Sequence, residues 1–253
     1  EGRPENSYGP KEDLDLSGER ILGGMPFTAY IKISEGCNNC CTYCAIPKIR
    51  GKMRSRKIED IVKEAERLAD GGVNEAKSLA EKGVRELIVV AQDTTAYGED
   101  IYGRSMIPEL LRELCKIDGL HWIRTLYTYP ERITDELLEV IGEEKKLVEY
   151  LDIPLQHADG EILRRMNRRG DRESLSALIK KIREKLPEVT LRTTFITGFP
   201  GETEGQFCSL HEFIKETRFD RLGCFTYSAE EDTMAATFDD QIDEQVKNDR
   251  MEL

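Results

Sequence analysis

The sequence has no long apolar run, no leader segment and no excess of positive charge. No stretch of about 18 or more apolar residues occurs, which excludes a transmembrane helix. The chain begins at Glu1 without the charged and then apolar segment of a signal peptide, so we expect a cytoplasmic protein and a fragment of a longer chain. Its net charge of −12 disfavours generic nucleic-acid binding, because phosphate repels an acidic surface.

Disorder and a disulfide scaffold are disfavoured as well. Hydrophobic residues make up 39% of the chain and charged residues 34%, which supplies enough apolar material for a core. The length of 253 residues fits one α/β domain of barrel size or two small domains. The seven cysteines are an odd number. Without a secretion signal, they indicate a reducing compartment and metal or redox chemistry.

Short β-branched runs alternate with helical patterns along most of the chain. The runs that predict strands are 27–34, 86–92, 122–128, 148–154, 189–197 and 221–227. The helical patterns lie near 57–82, 106–116, 134–146, 159–185 and 203–217. This alternation predicts a parallel sheet, and both an open doubly wound sheet and a partial barrel satisfy it. In either fold, we expect the chemistry at the carboxyl ends of the strands.

Four cysteines crowd into one loop directly after the first predicted strand, in the segment EGCNNCCTYCAIPKIR that begins at Glu35. A zinc site would need two cysteine pairs that face each other, and pairs this close in sequence strain a tetrahedral geometry. Idle thiols are not expected in such number in a polar loop. Three other cysteines lie in apolar patterns and are predicted to be core residues: Cys115, Cys208 and Cys224.

An iron–sulfur cluster fits the spacing better than zinc. Cys37, Cys41 and Cys44 form a C-x3-C-x2-C pattern. A 4Fe-4S cluster normally takes four thiolates, so three thiolates leave one iron open to a ligand. The amino and carboxylate groups of S-adenosylmethionine (SAM) suit that iron, and one electron from the cluster would cleave SAM to a 5′-deoxyadenosyl radical. Cys40 falls outside the pattern, as a competing ligand or an exposed thiol.

The loop and its flanking segments resemble the radical SAM enzymes. The three-cysteine pattern after a first strand, with the aromatic Tyr43 before the last cysteine, is the signature of that superfamily. Other segments, from about Arg20 to the end of the chain, are similar to the methylthiotransferases, and within them to the branch that modifies a ribosomal protein. The segments are EGCNNCCTYCAIPKIRGKMRSR, VAQDTTAYG, YLDIPLQHADGEILRRMNRRGD, LRTTFITGFPGETE and FDRLGCFTYSAEEDT.

The resemblance implies a three-part enzyme whose middle part is a partial (βα)6 barrel of the TIM-like, radical SAM type. It assigns residues 23–238 to the radical SAM core domain and residues 1–22 to a linker or tail. Residues 239–253 would begin the segment that leads to a missing C-terminal β-domain, TRAM. A missing N-terminal domain would carry a second 4Fe-4S cluster on three further cysteines, since no cysteine lies before Cys37.

The activity that the resemblance implies is the addition of a methylthio group to the β-carbon of an aspartate in protein twelve of the small ribosomal subunit. One SAM would donate the methyl group and another would supply the radical. The implied partners are that ribosomal protein and an electron donor such as flavodoxin or ferredoxin, for a monomer without membrane contact. A tRNA adenosine methylthiotransferase is the alternative enzyme, and a non-catalytic zinc-binding module is the alternative of another class.

Polar residues after the strands are the candidates for binding SAM. By resemblance, Tyr43, Gln92 and Gln156 lie on the SAM or substrate side. Asp93 follows Gln92, and it either joins that side or caps a turn with Thr94. His157 follows Gln156 and either donates to a ligand or is an ordinary satisfied loop histidine. The tRNA-modifying branch tends to have Gln-Asn and Gln-Ser where this chain has Gln92-Asp93 and Gln156-His157.

Two candidates lie in and after the fifth predicted strand. Arg192 is buried by its pattern and needs a partner, which is either the carboxylate of SAM or a structural carboxylate, Asp152 or Glu35. The segment GFPGE, from Gly198 to Glu202, predicts a tight turn whose backbone approaches adenine or ribose closely.

Three further patterns carry weaker signals. Residues 48–57 hold six basic residues in ten, and residues 164–172 hold five in nine. Each run either grips an acidic or RNA-bearing partner or forms an ordinary solvated face. Residues 64–74 and 75–85 look like a tandem duplication of eleven residues. No function follows from this duplication.

Overall fold

The computed structural model describes Met25, residues 27–70 and residues 83–253. In this part of the chain the strands are β1 (Thr28–Lys32), β2 (Ser34–Glu35), β3 (Arg54–Ser55), β4 (Glu86–Val90), β5 (Trp122–Thr125), β6 (Tyr150–Asp152), β7 (Thr190–Thr197) and β8 (Arg221–Thr226). The helices are α1 (Ile46–Arg50), α2 (Ile58–Ala69), α3 (Glu99–Tyr102), α4 (Ile107–Cys115), α5 (Asp135–Glu143), α6 (Gly160–Arg165), α7 (Arg172–Lys185), α8 (Glu204–Thr217) and α9 (Glu244–Glu252). Each predicted strand segment contains an observed strand.

The strand order identifies the fold as a partial barrel. Strands β1, β4 and β5 form one parallel sheet, and β6, β7 and β8 form another. A parallel bridge between Ile123 in β5 and Leu147, just before β6, joins the two sheets. The order therefore follows the chain without the reversal that defines a doubly wound sheet. Among the described residues no pairing joins β1 to β8, so the α/β barrel is open on one side.

The core lies between the outer face of the barrel and the surrounding helices. In β1, Ala29 and Ile31 are buried, whereas Tyr30 and Lys32 between them are exposed. Because alternate side chains of a strand point to opposite faces, the exposed pair lies on the inner face of the open barrel. Strand β7 alternates in the same way. The inside of the barrel is therefore accessible.

The helical pattern predicted over residues 159–185 is interrupted, and this part of the sequence-based expectation was wrong. Helix α6 ends at Arg165, and α7 begins at Arg172. Between them Asn167 adopts a left-handed φ of +56°, which ends the helix. Asp171 then caps α7 in a capping box with Ser174. The break exposes the intervening backbone to the cysteine loop, where it contributes to the site described below.

Several segments extend or limit the sequence-based picture. Thr134 and Thr203 cap α5 and α8, because each side chain accepts a hydrogen bond from the backbone at the start of its helix. Helix α2 ends at Ala69, and residues 71–82, with most of the tandem duplication, lie outside the described residues, as does the predicted tail over residues 1–22. The sequence reasoning missed the short elements α1, α3 and β2–β3, and also α9, which packs against the barrel.

Candidate active site

The cysteine loop lies at the carboxyl ends of the strands, where the sequence predicts the chemistry. Cys37, Cys41 and Cys44 are partly buried and line one cavity of about 600 Å³. Cys40 is exposed, has a φ of +51° and lies outside the lining. The wall opposite the loop is made by residues at or after β4 to β8: Ala91, Gln92, Tyr127, Thr128, Tyr129, Pro154, Gln156, Arg168, Arg192, Thr194 and Phe225.

The loop begins at a residue that must be glycine. Gly36 has a φ of +78°, and a Cβ atom there would overlap the backbone oxygen of Lys52. The next residue, Cys37, donates its backbone N–H to the carbonyl of Gly51 at 3.2 Å. This close crossing of two backbone segments fixes the first ligand candidate relative to the end of α1.

The three thiols suit a four-iron cluster better than a single metal ion. No three His, Cys, Asp or Glu side chains in the described ranges converge closely enough to hold one ion. A tetrahedral zinc site needs such convergence, whereas a cubane takes each thiolate on a different iron and so spaces its ligands apart. Three free thiols on one short loop at one roomy cavity fit that second arrangement.

Two of these thiols have raised pKa values, so iron binding must displace their protons. Burial raises the pKa of the Cys37 thiol above its ordinary value, and nearby Asp93, Cys41 and Cys44 raise it further. Burial also raises the pKa of the Cys44 thiol. Both thiols are therefore protonated at neutral pH in the iron-free protein. Because only the thiolate binds iron, cluster binding releases protons from this loop.

A polar network holds the cysteine loop against the end of β4. The Asn39 side chain donates to Asp93 Oδ2 at 2.8 Å, and Arg132 donates to Asn39 Oδ1 at 3.0 Å and to Asp93 Oδ2 at 3.2 Å. Asp93 also caps the following turn through Thr95 Oγ1 at 2.6 Å and the Ala96 N–H at 3.1 Å. The capping interpretation of Asp93 is thus correct, and the same carboxylate positions the loop. The sequence reasoning missed Asn39 and Arg132.

Tyr129 lies directly beside the sulfur of Cys41, and Arg168 packs on Tyr129. Tyr129 Oη is 3.7 Å from Cys41 Sγ, within hydrogen-bonding distance for sulfur. The guanidinium carbon of Arg168 lies 4.1 Å from the centre of the Tyr129 ring, and Arg168 also donates to the carbonyl of Pro154 at 2.8 Å. Burial raises the pKa of the Tyr129 and Tyr43 hydroxyls, so both stay protonated donors. Only the break after α6 brings Arg168 here.

Gln92 and Gln156 both line the cavity, as the resemblance implies. Gln92 Nε2 lies 3.4 Å from Glu35 Oε1, while Gln92 Oε1 is buried without a hydrogen-bond partner among the described residues. Gln156 has a left-handed φ of +72° and pairs in a parallel bridge with Phe195 of β7. An unsatisfied buried acceptor and a strained residue at one cavity are features of a ligand site.

Arg192 has a structural partner and still faces the cavity. Its Nη1 donates to Asp152 Oδ1 at 2.6 Å, and this carboxylate raises the pKa of the guanidinium despite partial burial. Asp152 is in turn fixed by the Tyr127 N–H at 3.2 Å. The salt bridge that the sequence left open as an alternative is therefore present. The side chain of Arg192 keeps 37% of its surface exposed, which leaves its other edge available to a ligand.

Gly198 and Glu202 lie away from the cavity lining. Glu202 belongs to a buried cluster that we call the C-terminal lock, and its members are His157, Glu202 and Arg250. Glu202 accepts the Gly198 N–H at 3.1 Å and pairs with Arg250 of α9 at 2.8 Å. His157 Nδ1 accepts the Asp159 N–H at 2.9 Å, and its Nε2 lies 3.3 Å from Glu202 without hydrogen-bond alignment. His157 is thus a buried structural residue.

The two basic runs do not form one continuous charged face. In the first run, Arg56 is buried and pairs with Glu64 at 2.7 Å. In the second, Arg165 pairs with Asp240 at 2.6 Å and Arg172 pairs with Glu216 at 2.7 Å. The other basic residues of the second run line a second cavity next to the cysteine loop: Arg164, Arg168 and Arg169.

Comparison with known proteins gives a family and close relatives. The Radical SAM superfamily matches residues 31–214. The chain is 51% identical over 235 residues to the ribosomal protein uS12 methylthiotransferase RimO of Clostridium botulinum strain Hall, covering 93% of this chain and 50% of that protein. For RimO of Alkaliphilus oremlandii, the identity is 51% over 243 residues, covering 96% and 53%. The chain spans about half the length of these curated relatives.

Solved structures share the fold at low identity. Coproporphyrinogen III oxidase HemN of Escherichia coli, described as a radical SAM enzyme, aligns with a TM-score of 0.59 and 21% identity over 97% of this chain and 54% of its own. The radical SAM methyltransferase TsrM of Kitasatospora setae, solved with tryptophan and a SAM analogue, aligns with a TM-score of 0.64 and 16% identity over 85% of this chain and 41% of its own. In the described part of this chain, no helix is long and apolar enough to cross a membrane.

Proposed function

The chain belongs to the radical SAM superfamily, and from this membership we propose that it is the catalytic core of an enzyme that adds a methylthio group to the β-carbon of an aspartate in ribosomal protein uS12. One observation carries the proposal. The three cysteines of the family signature line a single cavity in a chain that is 51% identical over 93% of its length to RimO.

The residues of the cavity divide into two groups by their chemistry. Cys37, Cys41 and Cys44 are the thiolate ligands of a 4Fe-4S cluster. When bound, the cluster supplies the electron that cleaves SAM and generates the radical that activates the substrate C–H bond. Tyr129 Oη lies 3.7 Å from the Cys41 sulfur and would donate a hydrogen bond to that sulfur when it binds iron.

The opposite wall holds SAM. Arg192 offers its free edge to the carboxylate of SAM, and Gln92 offers its unpartnered Oε1 to a donor such as the amino group. Gln156 and Tyr43 bound the same space and would shape the pocket for the adenosyl group. Gly198 and Glu202 were also predicted to bind SAM. They would act on the SAM site indirectly, because their hydrogen bond fixes the turn that follows β7.

The remaining assignments concern the longer protein. The radical SAM core spans residues 23–238, and residues 239–253 lead towards a TRAM domain. A domain that precedes the core carries a second 4Fe-4S cluster, and a flavodoxin or ferredoxin supplies electrons. The enzyme works as a monomer in the cytoplasm. Reducing conditions there would keep the four thiols of the loop free.

The experiment uses the full-length enzyme, reconstituted without oxygen with iron and sulfide and mixed with SAM, dithionite, sulfide and uS12. We expect 5′-deoxyadenosine and a uS12 aspartate that carries one methylthio group, both measured by mass spectrometry. Cys41→Ser should abolish both products, whereas the neighbouring Cys40→Ser should keep them, since Cys40 lies outside the cavity. A Cys41→Ser enzyme that still binds the cluster and cleaves SAM contradicts the ligand assignment.

Two alternatives are separated by the same preparation. Methylthiolation of an isopentenyladenosine-containing tRNA, with uS12 unmodified, would assign the chain to the tRNA branch. Stoichiometric zinc in a colourless protein that rejects iron would support the non-catalytic module. The convergence that a single zinc ion requires is not found among the described side chains, which favours the enzyme.

A further inference from the structure

A second cavity of about 430 Å³ adjoins the site. Asn39, Tyr129 and Arg168 line both cavities and so form the wall between them. The rest of the second cavity is lined by Asn38, Glu131, Arg132, Arg164, Asn167 and Arg169. None of the three cysteine ligands faces this second cavity, so it is not part of the space assigned to SAM.

The second cavity is basic in an acidic chain. The lining holds four arginines and one carboxylate, and so four positive charges against one negative charge: Arg132, Arg164, Arg168, Arg169 and Glu131. The chain as a whole carries a net charge of −12. Arg132 is largely neutralised by Asp93 and Glu99.

The accessible positive charge of this cavity therefore lies at its rim. The Arg164 side chain is 78% exposed, and its one ion pair with a described residue is with Glu161, at 4.0 Å. Arg169 is exposed as well. We call Arg164 and Arg169 the arginine rim. A negatively charged partner that is repelled by most of this protein would be attracted here.

The floor of the second cavity is the cysteine loop itself. The Asn167 side chain donates to the carbonyl of Asn39 at 3.2 Å and to that of Cys40 at 3.0 Å. Tyr129, in the shared wall, reaches Cys41 Sγ at 3.7 Å. A partner seated in this cavity is thus separated from a ligand sulfur of the cluster by one side chain.

We propose that the second cavity and its arginine rim are the docking surface for an acidic one-electron donor protein. This inference rests on the proposed function, because it requires the cluster on Cys37, Cys41 and Cys44. In the step, the donor loses one electron and the oxidised cluster gains it, and no bond is made or broken. The cavity lies on the opposite side of the shared wall from SAM, so donor and SAM can be bound together.

Charge and position together favour a donor over nucleic acid. The phosphates of ribosomal RNA would also be attracted to arginines. RNA binding, however, gives no reason for the cavity to have the cysteine loop as its floor and Tyr129 as its wall. Electron transfer does, since its rate falls steeply with the distance between donor and cluster.

The test measures how fast a donor reduces the cluster of the full-length enzyme, reconstituted without oxygen. The donor is a flavodoxin in its hydroquinone form, and stopped-flow absorbance follows the bleaching of the cluster. Arg164→Glu/Arg169→Glu should lower the second-order rate constant at low salt by about tenfold or more, and added salt should narrow the gap. Reduction by dithionite should stay within about twofold of wild type, because a small reductant needs no docking surface.

The matched control places the same charge change on the outer surface. Lys180 in α7 and Lys215 in α8 are exposed, and neither lines the second cavity. Lys180→Glu/Lys215→Glu should therefore reduce the flavodoxin rate far less. Equal losses in the two double variants would mean that only the total charge matters, and that result overturns the proposal.

The outcomes also separate this inference from the proposed function. Absence of a cluster, or of SAM cleavage with dithionite, removes the proposed function itself. A wild-type enzyme that cleaves SAM with dithionite, together with an arginine variant that is reduced by flavodoxin at the wild-type rate, overturns the docking surface alone. An arginine variant that loses binding to a ribosomal RNA fragment but not flavodoxin reduction assigns the rim to RNA.

Discussion

Two polar networks lie near the carboxyl ends of the strands, and similar residues have different roles in them. We call Asn39, Asp93 and Arg132 the cysteine-loop network. In it, one carboxylate pairs with one arginine and holds a loop that lines the cavity. The C-terminal lock also pairs one carboxylate with one arginine, and there it fastens α9 to the turn after β7.

The difference between the two networks lies in the exposure of the cation. The Arg132 side chain is 30% exposed, at the edge of the second cavity, whereas Arg250 is only 8% exposed. A partly exposed arginine can still receive a ligand, while a sealed one is committed to its partner. For these two arginines, exposure separates the one that lines a cavity from the one that only holds a helix in place, and the predictions below test this division.

Removing the carboxylate of the C-terminal lock should have the largest effect on stability. Glu202→Ala leaves the buried Arg250 guanidinium without its main partner, and we expect a loss of about 3–5 kcal/mol in the free energy of unfolding. Denaturant unfolding of the iron-free protein measures it. Glu202→Ala/Arg250→Met should recover part of the loss, since it removes the unpaired charge. A single variant as stable as wild type would show that the lock contributes nothing.

The next effect concerns the cysteine loop. Gly36→Ala forces a Cβ into the backbone of Lys52, which cannot move aside as a side chain can. We expect a loss of about 1–3 kcal/mol from the positive φ and a protein that retains little iron after reconstitution. Iron and sulfide analysis beside an unfolding curve checks this. Full iron content with wild-type stability would mean that the backbone crossing does not position the ligands.

Gly198→Ala tests the C-terminal lock in the same way, with a smaller expected effect. The new methyl group would overlap Cγ of the buried Lys247 in α9, which is a side-chain atom and not backbone. We expect a loss of about 1–2 kcal/mol, part of which Lys247→Ala should restore. Cluster content should remain normal throughout. Loss of iron in this variant would contradict the separation between the two networks.

The smallest expected effect depends on pH and concerns the helix that follows the arginine rim. Hydrogen bonds from the Ser174 side chain and backbone lower the pKa of Asp171 below 3.8. A lowered folded pKa stabilises the protein above the unfolded pKa, and the stabilisation is lost as the pH falls through the folded value. Stability of the wild type should therefore decline slightly more below pH 3.8 than that of Asp171→Asn. Identical profiles would remove this contribution.

The sequence allowed the strands to be predicted with good accuracy, and it placed three candidate cysteine ligands on one loop. The strand that became β7 was expected over 189–197 and was found over 190–197, because its alternation is a local pattern. The C-x3-C-x2-C spacing identified Cys37, Cys41 and Cys44 without reference to any distant residue. The choice between partial barrel and doubly wound sheet stayed open, since local patterns carry no strand order.

The residues around the ligands could not be predicted in this way. Tyr129 contacts Cys41 from a position 88 residues further along the chain, and Arg168 lies over the Tyr129 ring. Nothing in the immediate neighbours of Tyr129 marks it, and Arg168 was included in a basic run and in a helix that the structure interrupts. His157 and Glu202 show the converse, because their polar character suggested a site and burial made them part of the C-terminal lock.

The sequence by itself determined what depends on near neighbours: the alternation that makes strands, the caps at Thr134 and Thr203, and three thiols on one short loop. Tertiary structure alone decided which polar residues meet, because ion pairs and hydrogen bonds form between groups that the barrel brings together from distant strands. It also decided which arginines remain accessible. Exposure depends on the whole packed molecule. For that reason Arg250 is a buried structural residue, whereas Arg164 and Arg169 are exposed and accessible to a partner.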